Sequence, residues 1–209
     1  MITTPLPASP LLNAARRILN TLNVGGRVDA VILRAAMEEA HGGSDAQGLW
    51  DWKSAYDACE AALVLFLDQH GPGMLRRAGE PVAMLPMLER LAKLVPTQTR
   101  RSEESQLRQQ FSTPLPPSLA CAAAADLRLS DVVLEPSAGT GLLAIHARIA
   151  GARLILNELA EGRRRLLQGL FPTAAVFGHD AGQIDDLLPQ DLRPSVILMN
   201  PPFSVTAGG

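Results

Sequence analysis

Cysteine, aromatic residues and long apolar runs are all scarce in this sequence of 209 residues. Its two cysteines, Cys59 and Cys121, are too few for a disulfide framework or a thiolate zinc site, which favours a reducing, cytoplasmic location. Residues 1–10 lack the basic start and apolar core of a signal peptide, and the apolar run at 61–67 is too short to cross a bilayer. These absences exclude a disulfide-rich secreted domain and predict no membrane association.

Excess charge of one sign is also missing, because 19 basic residues face 21 acidic ones. The chain therefore has no overall positive field, and we expect contact with DNA to come from a local patch or from regions beyond this chain. Three adjacent arginines, residues 163–165, point around a helix rather than along one face, so we expect them on a solvated surface. The four histidines are scattered without the spacing of metal ligands, so no metal site is predicted.

The first hundred residues predict a succession of helices. The first begins at Ser9-Pro10, where a capping hydroxyl precedes a proline at the first helical position, and it ends at Gly25-Gly26. Further helical stretches are predicted at about 29–40, from 44 to Gly71, and from 74 to 95 with interruptions at Pro81 and Pro86. We therefore predict a helical N-terminal domain over residues 1–98 and a polar linker over 99–110.

Beyond residue 110 the pattern changes to short apolar runs that alternate with helical stretches. The runs at 132–134, 154–156, 175–177 and 196–199 are typical of buried parallel strands. The predicted fold is α/β, with a doubly wound, Rossmann-like parallel sheet over residues 111–209. The chain stops just after the fourth run, so we expect an N-terminal piece of a longer protein, with the sheet edge available for pairing into a dimer.

A glycine-rich loop directly follows the first predicted strand. Its sequence is Glu135-Pro136-Ser137-Ala138-Gly139-Thr140-Gly141, and the two glycines allow a sharp turn and the close approach of a ligand to the backbone. With Ala144 as a third small residue, the loop also matches a dinucleotide fingerprint, although a tight turn without a ligand has the same pattern.

Acidic residues follow the second and third predicted strands. Glu158 stands where a carboxylate accepts both hydroxyls of a ribose, which suits NAD and S-adenosylmethionine equally. Asp180, followed by Ala181, lies at the same sheet edge, where it either accepts a hydrogen bond from an adenine amino group or caps a helix.

The fourth strand is followed by Asn200-Pro201-Pro202-Phe203. Two prolines fix φ and remove two donors, which leaves carbonyl oxygens free to accept. The Asn200 side-chain oxygen and the Pro201 carbonyl can accept both protons of an exocyclic amine, while Phe203 offers a face for a planar base. A plain Pro-Pro turn is the alternative for the tetrapeptide alone. After three features that suit an adenosyl ligand, the tetrapeptide predicts an amine-binding site.

These residues resemble the class I S-adenosylmethionine-dependent methyltransferases, and within them the DNA adenine amino-methyltransferases, over residues 110–203. That family also has an aromatic residue followed by Ser or Thr, Thr and Pro, to which residues 111–114 are similar. The resemblance implies the following cofactor-binding residues: Phe111, Thr113, Pro114, Glu135, Pro136, Ser137, Ala138, Gly139, Gly141, Glu158, Asp180 and Ala181. It implies a catalytic role for Asn200, Pro201, Pro202 and Phe203, in methyl transfer to the amino group of adenine in DNA.

Two other functions stay open at this point. A methyltransferase of protein glutamine fits the same motif, since the motif recognises a planar amine rather than adenine alone, and so does a non-catalytic cofactor-binding or interaction module of a larger protein. The overall arrangement is also similar to the N-terminal region of large plasmid- and phage-borne proteins that fuse a methyltransferase to a strawberry-notch-type helicase.

Overall fold

The computed structural model describes residues 9–96, here called the helical half, and residues 112–200, the sheet half. The helical half contains α1 (Pro10–Asn23), α2 (Ala30–His41), α3 (Trp52–Ala78) and α4 (Leu85–Ala92), with short 3₁₀ turns at Asp45–Gln47 and Val82–Met84. The sheet half contains α5 (Leu115–Ala124), β1 (Val132–Glu135), α6 (Ala144–Ile149), β2 (Arg153–Asn157), α7 (Glu161–Leu170), β3 (Ala175–Phe177), a 3₁₀ turn at Ala181–Gln183, α8 (Ile184–Leu187) and β4 (Val196–Ile197).

The first two helices begin where their capping residues predict. The Ser9 hydroxyl accepts from the Leu12 N–H at 3.3 Å, and Asp29 accepts from two N–H groups of the first turn of α2. These side chains satisfy donors that have no partner inside the helix.

The predicted end of the third helix at Gly71 is wrong, because α3 continues through Pro72 to Ala78. Proline costs a helix one hydrogen bond, but α3 buries a long apolar face whose packing outweighs that loss. Gly71 itself packs directly against Ile149 of α6, where a Cβ atom would collide. Pro86 also does not interrupt a helix, because it lies in the first turn of α4, where no N–H is needed.

The sheet has four parallel strands in the order β3-β2-β1-β4, so the chain folds as α/β. Leu134 of β1 pairs with Ile155 of β2 on one side and with Ile197 of β4 on the other. The strand order therefore reverses at β1. In open parallel sheets the crevice beyond the carboxyl ends at such a reversal is the place where ligands bind.

One continuous apolar core joins the two halves. Helix α3 packs against α6 and α7, and α1 packs against α7, so that Ile18 and Leu67 belong to the same buried cluster as Ile145 and Leu167. The predicted boundary at residue 98 and the linker over 99–110 lie outside the described residues, so the division into domains stays a prediction. Within residues 9–96 and 112–200, no helix has both the length and the apolar composition needed to cross a bilayer.

Candidate functional site

The glycine loop turns away from β1 in a conformation that its glycines permit. Gly139 and Gly141 have φ values of +56° and +88°, backbone angles that L-residues with a side chain rarely adopt. A Cβ on Gly141 would also lie 2.5 Å from Cε2 of Phe171. The loop therefore requires glycine at position 141 for two independent reasons.

Glu158 binds this loop from the end of β2. Its Oε2 accepts from the Gly139 N–H at 2.9 Å and its Oε1 accepts from the Ala160 N–H at 2.8 Å, and the residue is only 8 % exposed. The carboxylate thus occupies a backbone donor that a phosphate-binding loop would present to its ligand.

Asn157, the last residue of β2, holds together the loops that follow β1 and β3, a role for which the sequence carries no motif. Its Nδ2 donates to the Pro136 and His179 carbonyls at 2.9 Å each, and its Oδ1 accepts from the His179 N–H at 2.8 Å. The Asn157 carbonyl accepts from the Ala138 N–H at 2.9 Å. Because the side chain is fully satisfied and 1 % exposed, it fixes the positions of these two loops relative to the end of β2.

Glu135 is a buried carboxyl group at the end of β1. It is 4 % exposed, and its Oε2 has no hydrogen-bond partner among the described residues. Burial raises the pKa of Glu135 well above its usual value, and the nearby Glu158 carboxylate raises the pKa further, against a hydrogen bond with the Ala144 backbone. An acid held in this way favours the approach of a donor or of a positive charge.

Asn200 follows β4, three residues after Ile197, and contacts Thr113. Its Nδ2 donates to the Thr113 hydroxyl at 3.0 Å, which leaves the amide oxygen of Asn200 as the acceptor of the side chain. A small cleft of about 20 Å³, room for a single water molecule, runs between these residues and the glycine loop. Several predicted residues line it: Thr113, Glu135, Ser137, Ala138, Gly139 and Asn200.

Other predicted residues lie at the same sheet edge without lining the cleft. Asp180, followed by Ala181, accepts from the Gly182 N–H at 2.9 Å and so caps the turn after β3. Pro114 precedes α5 as its N-cap residue, and the Pro136 carbonyl accepts from Asn157. Phe111, Pro201, Pro202 and Phe203 lie outside the described residues. In the part of the chain that is described, no cluster of metal-ligating side chains occurs.

A polar network from the helical half reaches the glycine loop, and no sequence motif predicted it. Glu60 of α3, which is partly buried, accepts from the Ser112 hydroxyl at 2.5 Å and from the Thr140 hydroxyl at 2.7 Å, both on Oε2. Burial raises the pKa of Glu60, and the neighbouring Asp57 raises it further. A carboxyl group of the helical half thereby contacts both chain segments beside the cleft.

Arg163 of α7 is the cation of this network. It forms two hydrogen bonds with Asp57, at 2.6 and 3.1 Å, and it is 4 % exposed, so the expectation that residues 163–165 are all solvated is wrong for this one. Burial alone would lower the pKa of Arg163, but the carboxyl groups of Asp57, Glu60 and Glu158 outweigh that effect and raise it. Its partner residue is 106 positions away, which is why helix periodicity could not reveal the pair.

No protein-family model, no curated protein and no solved structure matches this chain.

Proposed function

We propose that the cleft at the carboxyl edge of the sheet binds S-adenosylmethionine and that the chain belongs to a Rossmann-like methyltransferase acting on the amino group of adenine in DNA. The position of the cleft supports this proposal. It lies at the reversal of strand order, with the glycine loop after β1 on one side and Asn200 after β4 on the other.

The three acidic side chains around the glycine loop, with Arg163 the cation among them, favour a cationic ligand over a dinucleotide, and this observation carries the proposal. The carboxyl groups of Glu60, Glu135 and Glu158 surround the glycine loop, and the pKa values of Glu60 and Glu135 are raised. A sulfonium and an ammonium group relieve this crowding, whereas a pyrophosphate would add negative charge beside Glu158. The Gly139 N–H, which would hold a phosphate, already donates to that carboxylate.

The residues present fit this cofactor. The Oε2 of Glu135, which has no hydrogen-bond partner in the described part of the chain, suits a positively charged donor. Glu158 suits the two hydroxyls of a ribose, and Gly139 and Gly141 allow close approach to the backbone. The cleft of about 20 Å³ is smaller than this cofactor, so the site is proposed to widen when the ligand binds.

Asn200 supplies the amine-binding group in this proposal. Because its Nδ2 donates to Thr113, its Oδ1 is oriented to accept a proton of the amine, and the Pro201 carbonyl is proposed to accept the second. Bound S-adenosylmethionine supplies an electrophilic methyl group. During methyl transfer, Asn200 and the proposed Pro201 acceptor would stabilise the positive charge that develops on the amine nitrogen.

This chemistry needs no nucleophilic side chain, because the amine attacks directly. Asn200 and the glycine loop contribute orientation and electrostatic stabilisation. Adenine in a duplex is stacked, so it must be extruded to reach the cleft, where Phe203 is proposed to stack on it.

Calorimetric titration with S-adenosylmethionine and, separately, with NAD tests the cofactor. We expect binding of S-adenosylmethionine only, and a loss of about tenfold or more in affinity in Glu158→Ala. Glu161→Ala is the matched control, since Glu161 is an exposed acid three residues away that pairs with Arg165 on the surface of α7. Binding of NAD, or equal effects of the two substitutions, would overturn the assignment of the cofactor.

Transfer of a labelled methyl group tests the substrate. Single-stranded DNA containing adenine and a glutamine-containing peptide are offered in parallel, with Asn200→Ala as the inactive variant. Label on adenine that is lost in the variant supports the proposal, and label on the peptide alone would assign the protein glutamine reaction instead.

A further inference from the structure

We propose that Glu60 of the helical half is a positioning residue for the cofactor loop, so that the helical half forms part of the S-adenosylmethionine site. The cofactor named here rests on the proposed function. The contacts that assign the role to Glu60 are independent of which ligand binds.

The first step of the argument is the convergence of two chain segments on one oxygen atom. Oε2 of Glu60 accepts from Ser112, which precedes Thr113, and from Thr140, which stands between the two glycines of the loop. These donors lie 52 and 80 positions from Glu60 in the sequence. The carboxyl group therefore fixes the distance between the Ser112–Pro114 segment and the glycine loop.

The second step is that Glu60 acts together with Asp57 on the same face of α3. Positions three apart in a helix are neighbours, and Asp57 holds Arg163 through two hydrogen bonds. The Arg163 guanidinium lies against the loop, since Nη1 is 3.9 Å from where a Cβ of Gly139 would stand. One turn of α3 thus holds Arg163 beside Gly139 through Asp57 and bonds Thr140 directly.

The third step links this support to the amine-binding end of the cleft. Ser112 donates to Glu60, and the adjacent Thr113 accepts from Asn200. The path from α3 to Asn200 therefore contains two side-chain hydrogen bonds and one peptide unit. A shift of the Ser112–Pro114 segment would displace the residue that orients the Asn200 amide.

The test compares Glu60→Ala with Glu60→Gln and with Asp68→Ala. Glutamine keeps an oxygen that can accept from both hydroxyls, whereas alanine removes it. Asp68 is the matched control, because it lies on the same helix and also binds the sheet half, through Arg148 of α6, away from the loop. Thr140→Val removes one donor with little change of shape, which keeps the test decisive if Glu60→Ala fails to fold.

Amide hydrogen exchange at residues 112–115 and 137–141 is the first measurement. We expect faster exchange at both segments in Glu60→Ala, faster exchange at 137–141 in Thr140→Val, and wild-type rates in Glu60→Gln and Asp68→Ala. Unchanged exchange in both Glu60→Ala and Thr140→Val, or equal acceleration in Asp68→Ala, would overturn the positioning role.

The affinity for S-adenosylmethionine is the second measurement. We expect a loss of about tenfold or more in Glu60→Ala and a change within about threefold in Glu60→Gln and Asp68→Ala. Equal losses in Glu60→Ala and Asp68→Ala would overturn the proposal. If the wild-type protein does not bind S-adenosylmethionine, the proposed function fails, and hydrogen exchange decides the role of Glu60 by itself.

Discussion

Asp57 of α3 and Arg163 of α7 form a buried two-point ion pair, with N–O distances of 2.6 and 3.1 Å between residues 106 positions apart. Each residue belongs to a different half of the molecule. The pair therefore joins the helical half to the sheet half at the place where the glycine loop turns.

Removal of one member of this pair should be strongly destabilising. We expect Asp57→Ala to lower the free energy of unfolding by about 3–5 kcal/mol, because it leaves the Arg163 charge buried without its main partner. Denaturant titration measures the change. Arg165→Ala is the control, since its pair with Glu161 is exposed and contributes about 0–1 kcal/mol. Equal effects of the two substitutions would contradict the assignment of a buried pair.

Stability should decrease as the pH falls below about 6.5 because of His146. This histidine is 5 % exposed and its Nε2 lies 2.9 Å from the Ser118 hydroxyl, and burial lowers its pKa from 6.5 to about 4. The unfolded chain therefore takes up a proton between these two pH values while the folded chain does not, which costs about 3 kcal/mol of stability in total. The free energy of unfolding, measured from pH 7 to pH 4, checks how stability changes with pH.

His146→Gln is the control for this pH dependence, because glutamine does not titrate and retains groups that can hydrogen-bond with Ser118. We expect the variant to lose the part of the slope that His146 contributes. A variant with the same pH profile as the wild-type protein would show that another group is responsible.

Substitution of Gly141 should destabilise the loop, whereas substitution of a helical glycine should not. We expect Gly141→Ala to cost about 2–4 kcal/mol, since the residue has a φ of +88° and its new Cβ would meet Phe171. Gly73→Ala lies inside α3, where the new Cβ has only an ordinary contact with Arg76, and it should stabilise by about 0.5–1 kcal/mol. Thermal unfolding of both variants measures the contrast, and equal effects would show that the loop conformation differs from the one described.

The proposed binding of S-adenosylmethionine should release a proton from Glu135. Burial raises the pKa of this carboxyl group well above its usual value, and a cationic ligand favours its ionised form. The affinity is therefore expected to rise with pH until Glu135 is ionised in the free protein. Calorimetric titration in two buffers with different ionisation enthalpies measures the number of protons released. Glu135→Gln should abolish the difference in binding enthalpy between the two buffers. A binding enthalpy of the wild-type protein that does not depend on the buffer would contradict this expectation.

The edge of the sheet at β4 predicts that two chains pair into a dimer. Strand β4 pairs only with β1 among the described strands, and Ile197 and Met199 are more than half exposed. Unpaired backbone groups together with apolar side chains favour association with a second strand. Sedimentation over a range of concentrations checks the prediction, with Ile197→Lys as the variant expected to be monomeric. A wild-type chain that is monomeric throughout would contradict it.

Much of the sheet half could be predicted from local sequence. The first three apolar runs coincide with β1, β2 and β3, and β4 covers the first half of the fourth run. Their spacing indicated parallel strands, and the structure confirms the parallel α/β sheet. Because the carboxyl ends of parallel strands meet at one edge, the sequence also brought the glycine loop, Glu158 and Asn200 to the same edge.

By itself, then, the sequence determined the strand and helix alternation and which motifs share the sheet edge, because apolar periodicity and caps act over a few residues. Only the tertiary structure decided that α3 continues through Pro72, that Arg163 is buried, and that Asn157 and Glu60 hold the loops. These outcomes depend on partners up to 106 positions away, whose contacts exist only once packing has brought the two halves together.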